Sequence, residues 1–87
     1  MEVLWDEPKR LANIAKHGLD FADVRLLDWR TAVIEPAKAD RRGRRRMKAI
    51  GYFLDGTAVV IFAILGSEAI SVISFRVAHE KERRKLL

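Results

Sequence analysis

The apolar segment from Thr57 to Leu65 constrains the fold of this chain more than any other feature. It is too apolar to have one face in water, so it predicts a central strand that is covered on both sides. The Asp55-Gly56 turn signal before it predicts a hairpin with a preceding strand, Arg45 to Leu54. A second turn at Gly66-Ser67-Glu68 leads into a last strand, Ala69 to Phe75. These segments predict an antiparallel sheet.

The first third of the chain predicts helices. Glu2 to Trp5 reads as a short strand, and Asp6 as the N-cap of a helix from Pro8 to His17 that Gly18 ends. The helical period separates an apolar side from a polar arc. The apolar side carries Leu11, Ala12, Ile14 and Ala15, and the polar arc carries Lys9, Arg10, Asn13, Lys16 and His17.

A second helix is predicted from the Asp20 cap to about Asp28, because Phe21, Val24 and Leu27 recur every three residues. The segment from Thr31 to Glu35 is rich in β-branched residues and predicts a strand, which Pro36 is expected to end. Residues 38–43 are polar and predict a loop, and Ala78 to Leu87 has the composition of a final helix. The order β-α-α-β-β-β-β-α predicts an α+β fold of two layers, with four to five antiparallel strands.

Size and composition restrict the kind of site. Residues 1–87 make one domain, and 49% hydrophobic residues provide a core without a deep cavity. A shallow surface site suits a polymeric substrate. There is no cysteine, His17 and His79 lack ligand spacing, and neither a metal site nor a cofactor is expected. The acidic start is unlike a signal peptide, and no apolar run approaches the roughly 20 residues of a membrane helix. The sequence therefore predicts a soluble, cytoplasmic protein.

The charge points towards a polyanionic partner. The net charge is +5, and the segment from Arg41 to Arg46 is arginine except for Gly43. A second basic cluster lies at Lys81, Arg83, Arg84 and Lys85. Nucleic acid, an acidic protein and a membrane surface all fit this composition, which does not rank them.

Two stretches of the chain resemble a known family. The first contains Trp5-Asp6-Glu7-Pro8-Lys9, Asn13 and Lys16-His17-Gly18-Leu19-Asp20-Phe21, and the second contains Ile73-Ser74-Phe75-Arg76-Val77-Ala78 and Glu82-Arg83-Arg84. Together they resemble the BrnT toxins of bacterial type II toxin–antitoxin systems over nearly the whole chain. The resemblance implies a RelE-like fold, cleavage of RNA, and inhibition by a BrnA-like antitoxin. It also implies a dimer of heterodimers that binds its operator DNA through the antitoxin.

RNA cleavage without a metal needs a base for the 2′-hydroxyl, an acid for the leaving 5′ oxygen and a cation for the phosphate. His17 is the leading acid/base candidate, since Lys16-His17-Gly18 matches the family; capping and the helix dipole explain it equally well. Arg76 is placed where RelE-like folds bind phosphate, although a salt bridge to Glu80 or Glu82 is the alternative. Arg46 matches an arginine of the family's second strand and is the third catalytic candidate.

Other polar residues are expected to grip RNA or to support the site. The predicted RNA-binding residues are Lys9, Asn13, Lys16, Arg42, Arg44, Arg45 and Arg83. Pairing with basic neighbours is favoured for Glu82 over an acid/base role, and capping is favoured for His79. The chain departs from many relatives at Ser71, where they carry arginine, and in lacking a tyrosine after Glu82-Arg83.

The alternative functions are a non-catalytic nucleic-acid-binding module or co-repressor and, less favoured, a structural subunit that only holds a partner. The placement of His17, Arg46 and Arg76 discriminates cleavage from binding, because a binder needs no convergent acid/base groups.

Overall fold

A computed structural model describes residues 1–39 and 41–87 of the chain. The five strands are β1 (Glu2–Leu4), β2 (Val33–Ala37), β3 (Arg46–Phe53), β4 (Gly56–Leu65) and β5 (Ala69–Val77). The helices are α1 (Glu7–His17), a 3₁₀ helix (Phe21–Leu26) and α2 (Glu80–Arg83), which a 3₁₀ turn (Arg84–Leu86) extends. The predicted α+β class is confirmed, and the described part of loop 38–43 contains neither helix nor strand. Residue 40 of that predicted loop lies outside the described residues.

The five strands form one sheet in the order β1-β5-β4-β3-β2. The predicted central strand is β4, and the three strands after β2 pair antiparallel with their predecessors, as predicted. The prediction of a wholly antiparallel sheet is wrong, because β1 pairs parallel with the start of β5. Short turns fix the direction of neighbouring strands, but β1 meets a partner from the other end of the chain, whose direction no turn specifies. The sheet is therefore mixed.

The prediction that Pro36 stops the second strand is also wrong. Pro36 lies within β2, opposite Met47 of β3. Since β2 is the last strand of the sheet, its outer side has no strand to bond, and an edge strand tolerates a residue that cannot donate a backbone hydrogen bond. Pro36 thus blunts this edge of the sheet.

The second predicted helix is a 3₁₀ helix, shorter than the expected segment 20–28. The predicted Asp20 cap is confirmed, with its carboxylate accepting from the Ala22 amide at 2.9 Å. The spacing of Phe21, Val24 and Leu27 is three residues, which is the period of a 3₁₀ helix and not of an α-helix. All three side chains are buried against one face of the sheet. The predicted C-terminal helix is likewise shorter than expected, since it begins at Glu80.

The two faces of the sheet are covered by different segments of the chain. The 3₁₀ helix packs on the first face, where the core includes Val60, Phe62 and Phe75. The segment after β5 covers part of the second face, over Ile50 and Val59. The remainder of the second face is only half-buried and carries Arg46, Lys48, Ile61, Ala63, Ser71, Ser74 and Arg76. None of the helices in the described part of the chain has the length and apolar character needed to cross a membrane.

The helix α1 has the predicted Asp6 N-cap and ends at His17 as predicted, although it begins at Glu7, one residue before the predicted Pro8. It presents the opposite side to the protein. Its apolar residues Leu11, Ala12 and Ala15 are exposed, whereas Asn13, from the polar arc, is 7% exposed. The helix lies beside β5, and the polar side is inward because β5 has backbone groups there that need partners. The prediction that Asn13 contacts RNA is therefore wrong.

Candidate active site

The end of α1, the end of β5 and the connection from β5 to α2 border an open cleft of about 620 Å³. Its lining includes His17 and Arg76, the leading acid/base and phosphate-binding candidates from the sequence. The complete lining is Lys16, His17, Ser74, Arg76, Val77, Ala78 and His79. The structure thus brings two of the three catalytic candidates together, and adds a second histidine beside them.

His17 is positioned by the end of its helix. Gly18 has φ 75, in the left-handed region that ends α-helices, and its N–H donates to the Ile14 carbonyl at 2.8 Å. His17 is consequently the last helical residue, half-buried at the cleft while Lys16 beside it is exposed. The predicted capping residue Gly18 therefore ends the helix directly after His17 and so fixes the position of the predicted site histidine.

Asn13, one turn before His17, ties α1 to β5. Strand β1 pairs with β5 only as far as Ser71, so the later part of β5 has an edge without a strand partner. The Asn13 amide group donates to the Phe75 carbonyl at 2.8 Å, and its oxygen accepts from the Phe75 N–H at 3.2 Å. The same amide also donates to the Leu19 carbonyl at 2.9 Å. These bonds hold the end of α1 next to Arg76.

Arg76 is held by Glu82, so the salt bridge considered as its alternative role is present. Both terminal nitrogens of the guanidinium donate to the Glu82 carboxylate at 2.8 Å. Glu82 is 7% exposed and also pairs with Lys48 Nζ at 2.5 Å. The hydrogen bonds from Arg76 and then Lys48 hold the pKa of Glu82 well below its usual range, against the opposing effect of burial.

The environment of Glu82 confirms the pairing role that the sequence favoured for it. A carboxylate that stays ionised has no proton to give near neutral pH, and its lowered pKa makes it a weak base. Glu82 therefore positions Arg76 and Lys48. In turn, hydrogen bonding to Glu82 raises the pKa of Arg76.

Arg76 can hold Glu82 and still bind a phosphate. Its Nη1 hydrogens go to Glu82 and to the Val77 carbonyl, and one Nη2 hydrogen goes to Glu82. Within the described residues, the Nε hydrogen and the second Nη2 hydrogen donate to no acceptor. These two hydrogens lie on one side of the planar guanidinium, which is the fork that matches two phosphate oxygens.

Arg46 lies on the same sheet face as Arg76 but is not in the cleft. Alternate residues of a strand lie on the same face of the sheet, as do residues that are directly opposite each other on paired strands. Lys48 is opposite Ile61 and Arg76 is opposite Val59, so all four side chains lie on this face. Four residues along the strands and two strand spacings separate the backbones of Arg46 and Arg76 by roughly 15 Å. Arg46 therefore lies along the sheet face from the cleft and does not form part of its lining. Lys48, which lies between them and which the sequence did not single out, belongs to this face.

The arginine segment adjoins Arg46. Arg44, Arg45 and Arg46 line a groove of about 490 Å³ together with Ser71. Arg41, Arg42, Arg44 and Arg46 border a second depression. The predicted RNA-binding residues Arg42, Arg44 and Arg45 thus form a basic surface at one end of the half-buried sheet face.

The other predicted RNA-binding residues are dispersed. Lys9 is exposed on α1 but does not line the cleft. Arg83 lines a different groove, with Tyr52, Val77 and Leu87. His79 is the N-cap residue of α2, which confirms its predicted capping position. It also lines the cleft with His17, for which the sequence contains no local signal.

Within the described residues, no group of three or more histidine and carboxylate side chains is placed to hold a metal ion.

Comparisons with known proteins agree on one family. Residues 5–82 match the family model described as "Ribonuclease toxin, BrnT, of type II toxin-antitoxin system". The 1.1 Å crystal structure of the Brucella abortus ribonuclease toxin, BrnT, is 49% identical in sequence and superposes with a TM-score of 0.75. The match covers 92% of this chain and 99% of the Brucella chain. No curated protein matches the chain.

Proposed function

The chain belongs to the BrnT family of ribonuclease toxins of type II toxin–antitoxin systems, and from this premise we propose that it cleaves RNA without a metal ion, in the His17–Arg76 cleft. The observation that carries the proposal is the convergence of an imidazole and a guanidinium from separate elements in one open cleft. The half-buried sheet face continues from the cleft towards Arg46, which suits a polymer that extends beyond its cleaved bond. The same fold supports placement in the RelE-like superfamily.

Each group has a place in the reaction. Arg76 binds the scissile phosphate through its Nε and second Nη2 hydrogens, and stabilises the negative charge that develops on it. His17 transfers one of the protons, since an imidazole can accept a proton when neutral and donate one when protonated. The 2′ oxygen forms a bond to phosphorus as the bond from phosphorus to the 5′ oxygen breaks. The products are a 2′,3′-cyclic phosphate and a 5′-hydroxyl.

Arg46 and the arginine segment bind RNA outside the cleft. Because Arg46 is not part of the cleft lining and adjoins the arginine segment, we assign it to RNA binding. Arg42, Arg44 and Arg45 extend the same basic surface. Lys16 borders the cleft and contacts the backbone beside the scissile phosphate, while Lys9 and Arg83 add to the positive field.

A type II toxin has a cognate antitoxin, and we extend the proposal to the form of the complex. A BrnA-like antitoxin blocks the toxin, and the pair assembles as a dimer of heterodimers whose antitoxin binds operator DNA. Because its substrate is cellular RNA, the toxin acts in the cytoplasm.

The proposal is tested by incubating the purified protein with single-stranded RNA in excess EDTA and identifying the new ends. We expect cleavage at an undiminished rate, with 5′-hydroxyl and 2′,3′-cyclic phosphate ends. Loss of activity in EDTA that magnesium restores, or products with 5′-phosphate ends, would contradict it.

A further inference from the structure

The second histidine of the cleft has no role in the reaction described so far. His79 follows β5 directly after the buried Ala78, and its exposed side chain lines the same cleft as His17, Ser74 and Arg76. The two imidazoles come from opposite ends of the sequence, on α1 and on the connection between β5 and α2.

The backbone of His79 is held in place although its side chain is exposed. The His79 N–H donates to Glu82 Oε1 at 2.8 Å, and its carbonyl accepts from the Arg83 N–H at 2.9 Å. Glu82 is the same carboxylate that holds Arg76. One buried acidic group therefore fixes both the phosphate-binding arginine and the main chain of the second histidine.

The proposed cleavage of RNA requires two proton-transfer groups, a base for the 2′-hydroxyl and an acid for the 5′ oxygen, and His17 supplies one of them. Glu82 cannot supply a proton, because its pairing with Arg76 and Lys48 keeps it ionised. Of the side chains that line the cleft, the two imidazoles are the groups that can accept a proton when neutral and donate one when protonated. Lys16 and Arg76 are the charged groups of the cleft lining. Glu82 pairs with Arg76 and Lys48, and Glu80, which follows His79 in the chain, pairs with Arg84.

We propose that His79 is the second catalytic acid/base residue, so that the two histidines divide the two proton transfers of RNA cleavage. This inference rests on the proposed metal-free reaction. One neutral imidazole accepts the proton of the 2′-hydroxyl as the 2′ oxygen bonds to phosphorus. The other, protonated imidazole donates its proton to the 5′ oxygen as the phosphorus–oxygen bond breaks. No oxidant or further reactant is needed, and one proton is taken up for each proton released.

The test compares the parent protein with His79→Gln, His79→Asn and His17→Gln, and with Ser67→Ala in the distant β4–β5 turn as the matched control. The value of kcat/KM for a single-stranded RNA is measured in EDTA from pH 4.5 to 9. Binding of the same RNA with a 2′-deoxy group at the cleaved position is measured separately, and circular dichroism checks folding. His79→Asn carries the test if His79→Gln does not fold.

The parent and Ser67→Ala should show a bell-shaped pH profile. Each histidine variant should lose about 10²-fold or more in kcat/KM and one limb of the bell, with unchanged binding of the deoxy analogue. Uridine 3′-(4-nitrophenyl phosphate) has a leaving group that needs no protonation. The variant that lacks the acid should recover on this substrate, and the variant that lacks the base should not, which assigns the two roles.

Two failures are distinguishable. If both His79 variants cleave RNA within about threefold of the parent and keep both limbs of the profile, while His17→Gln is inactive, the role of His79 is overturned and the proposed function stands. If the parent itself has no activity in EDTA, the metal-free reaction is overturned, and the role of His79 with it.

Discussion

Asn13 takes the place of a neighbouring strand at the edge of β5. A hydrophobic pattern predicts that an asparagine among lysines is exposed to solvent. Such a pattern carries no information about unpaired backbone groups elsewhere in the fold, to which an asparagine side chain can both donate and accept hydrogen bonds. Here Phe75 presents both a carbonyl and an N–H to the side chain, and the polar side of α1 turns inward to meet them. A single amide thus decides which side of α1 is buried.

Replacing Asn13 with Ala should destabilise the protein by about 2 kcal/mol or more, because two buried backbone groups lose their partner. The matched control is Leu11→Ala on the exposed side of the same helix, for which we expect a change within about 0.5 kcal/mol. Urea unfolding measures both. Equal effects, or a larger loss at Leu11, would show that the apolar side of α1 is the buried one.

The elements around the cleft are joined by one ion-pair group, which spans β3, β5 and α2 through Lys48, Arg76 and Glu82. The sequence indicates a pair between Arg76 and Glu82, which are close along the chain. It does not indicate Lys48, because β3 is distant from α2 in sequence and contacts Glu82 only in the folded protein. The 3₁₀ helix shows the reverse case. Its three-residue spacing is visible in the sequence, but the predicted order treats this segment as an α-helix, whereas a three-residue period is that of a 3₁₀ helix.

This group makes stability depend on pH. The folded pKa of Glu82 is lowered from the ordinary value of 4.5, so its ionised form stabilises the fold above that pH, and the stabilisation is lost as the pH falls towards the folded pKa. The urea midpoint should therefore decrease below about pH 4.5. Glu82→Gln should be less stable at neutral pH and should flatten this decrease, whereas Glu68→Gln in the β4–β5 turn should behave like the parent. An equally steep decrease in Glu82→Gln would assign the dependence to other carboxylates.

At the scale of the whole molecule, the sequence indicated the α+β class and the order of β2 to β5, since period-two alternation and short turns are local signals. It missed the parallel pairing of β1, which depends on contact between the two ends of the chain. For the same reason it could place His17 and Arg76 in a site only by family resemblance. The convergence of His79 on that site had no local signal at all.

The placement of the active site in the His17–Arg76 cleft is tested most directly by changing Arg76. Arg76→Ala should lose roughly a hundredfold in RNA cleavage, about 3 kcal/mol of transition-state stabilisation, and should no longer arrest growth when it is induced. Arg76→Lys keeps a cation beside Glu82 without the planar fork, and separates loss of that fork from loss of the charge. Arg25→Ala, on the exposed surface of the 3₁₀ helix, controls for net charge and should arrest growth like the parent.

The deciding measurement is growth on induction of these variants, paired with circular dichroism and co-purification with the antitoxin. We predict that Arg76→Ala folds and binds the antitoxin but does not arrest growth. An Arg76→Ala protein that folds, binds the antitoxin and arrests growth like the parent would contradict the assignment of this cleft as the active site.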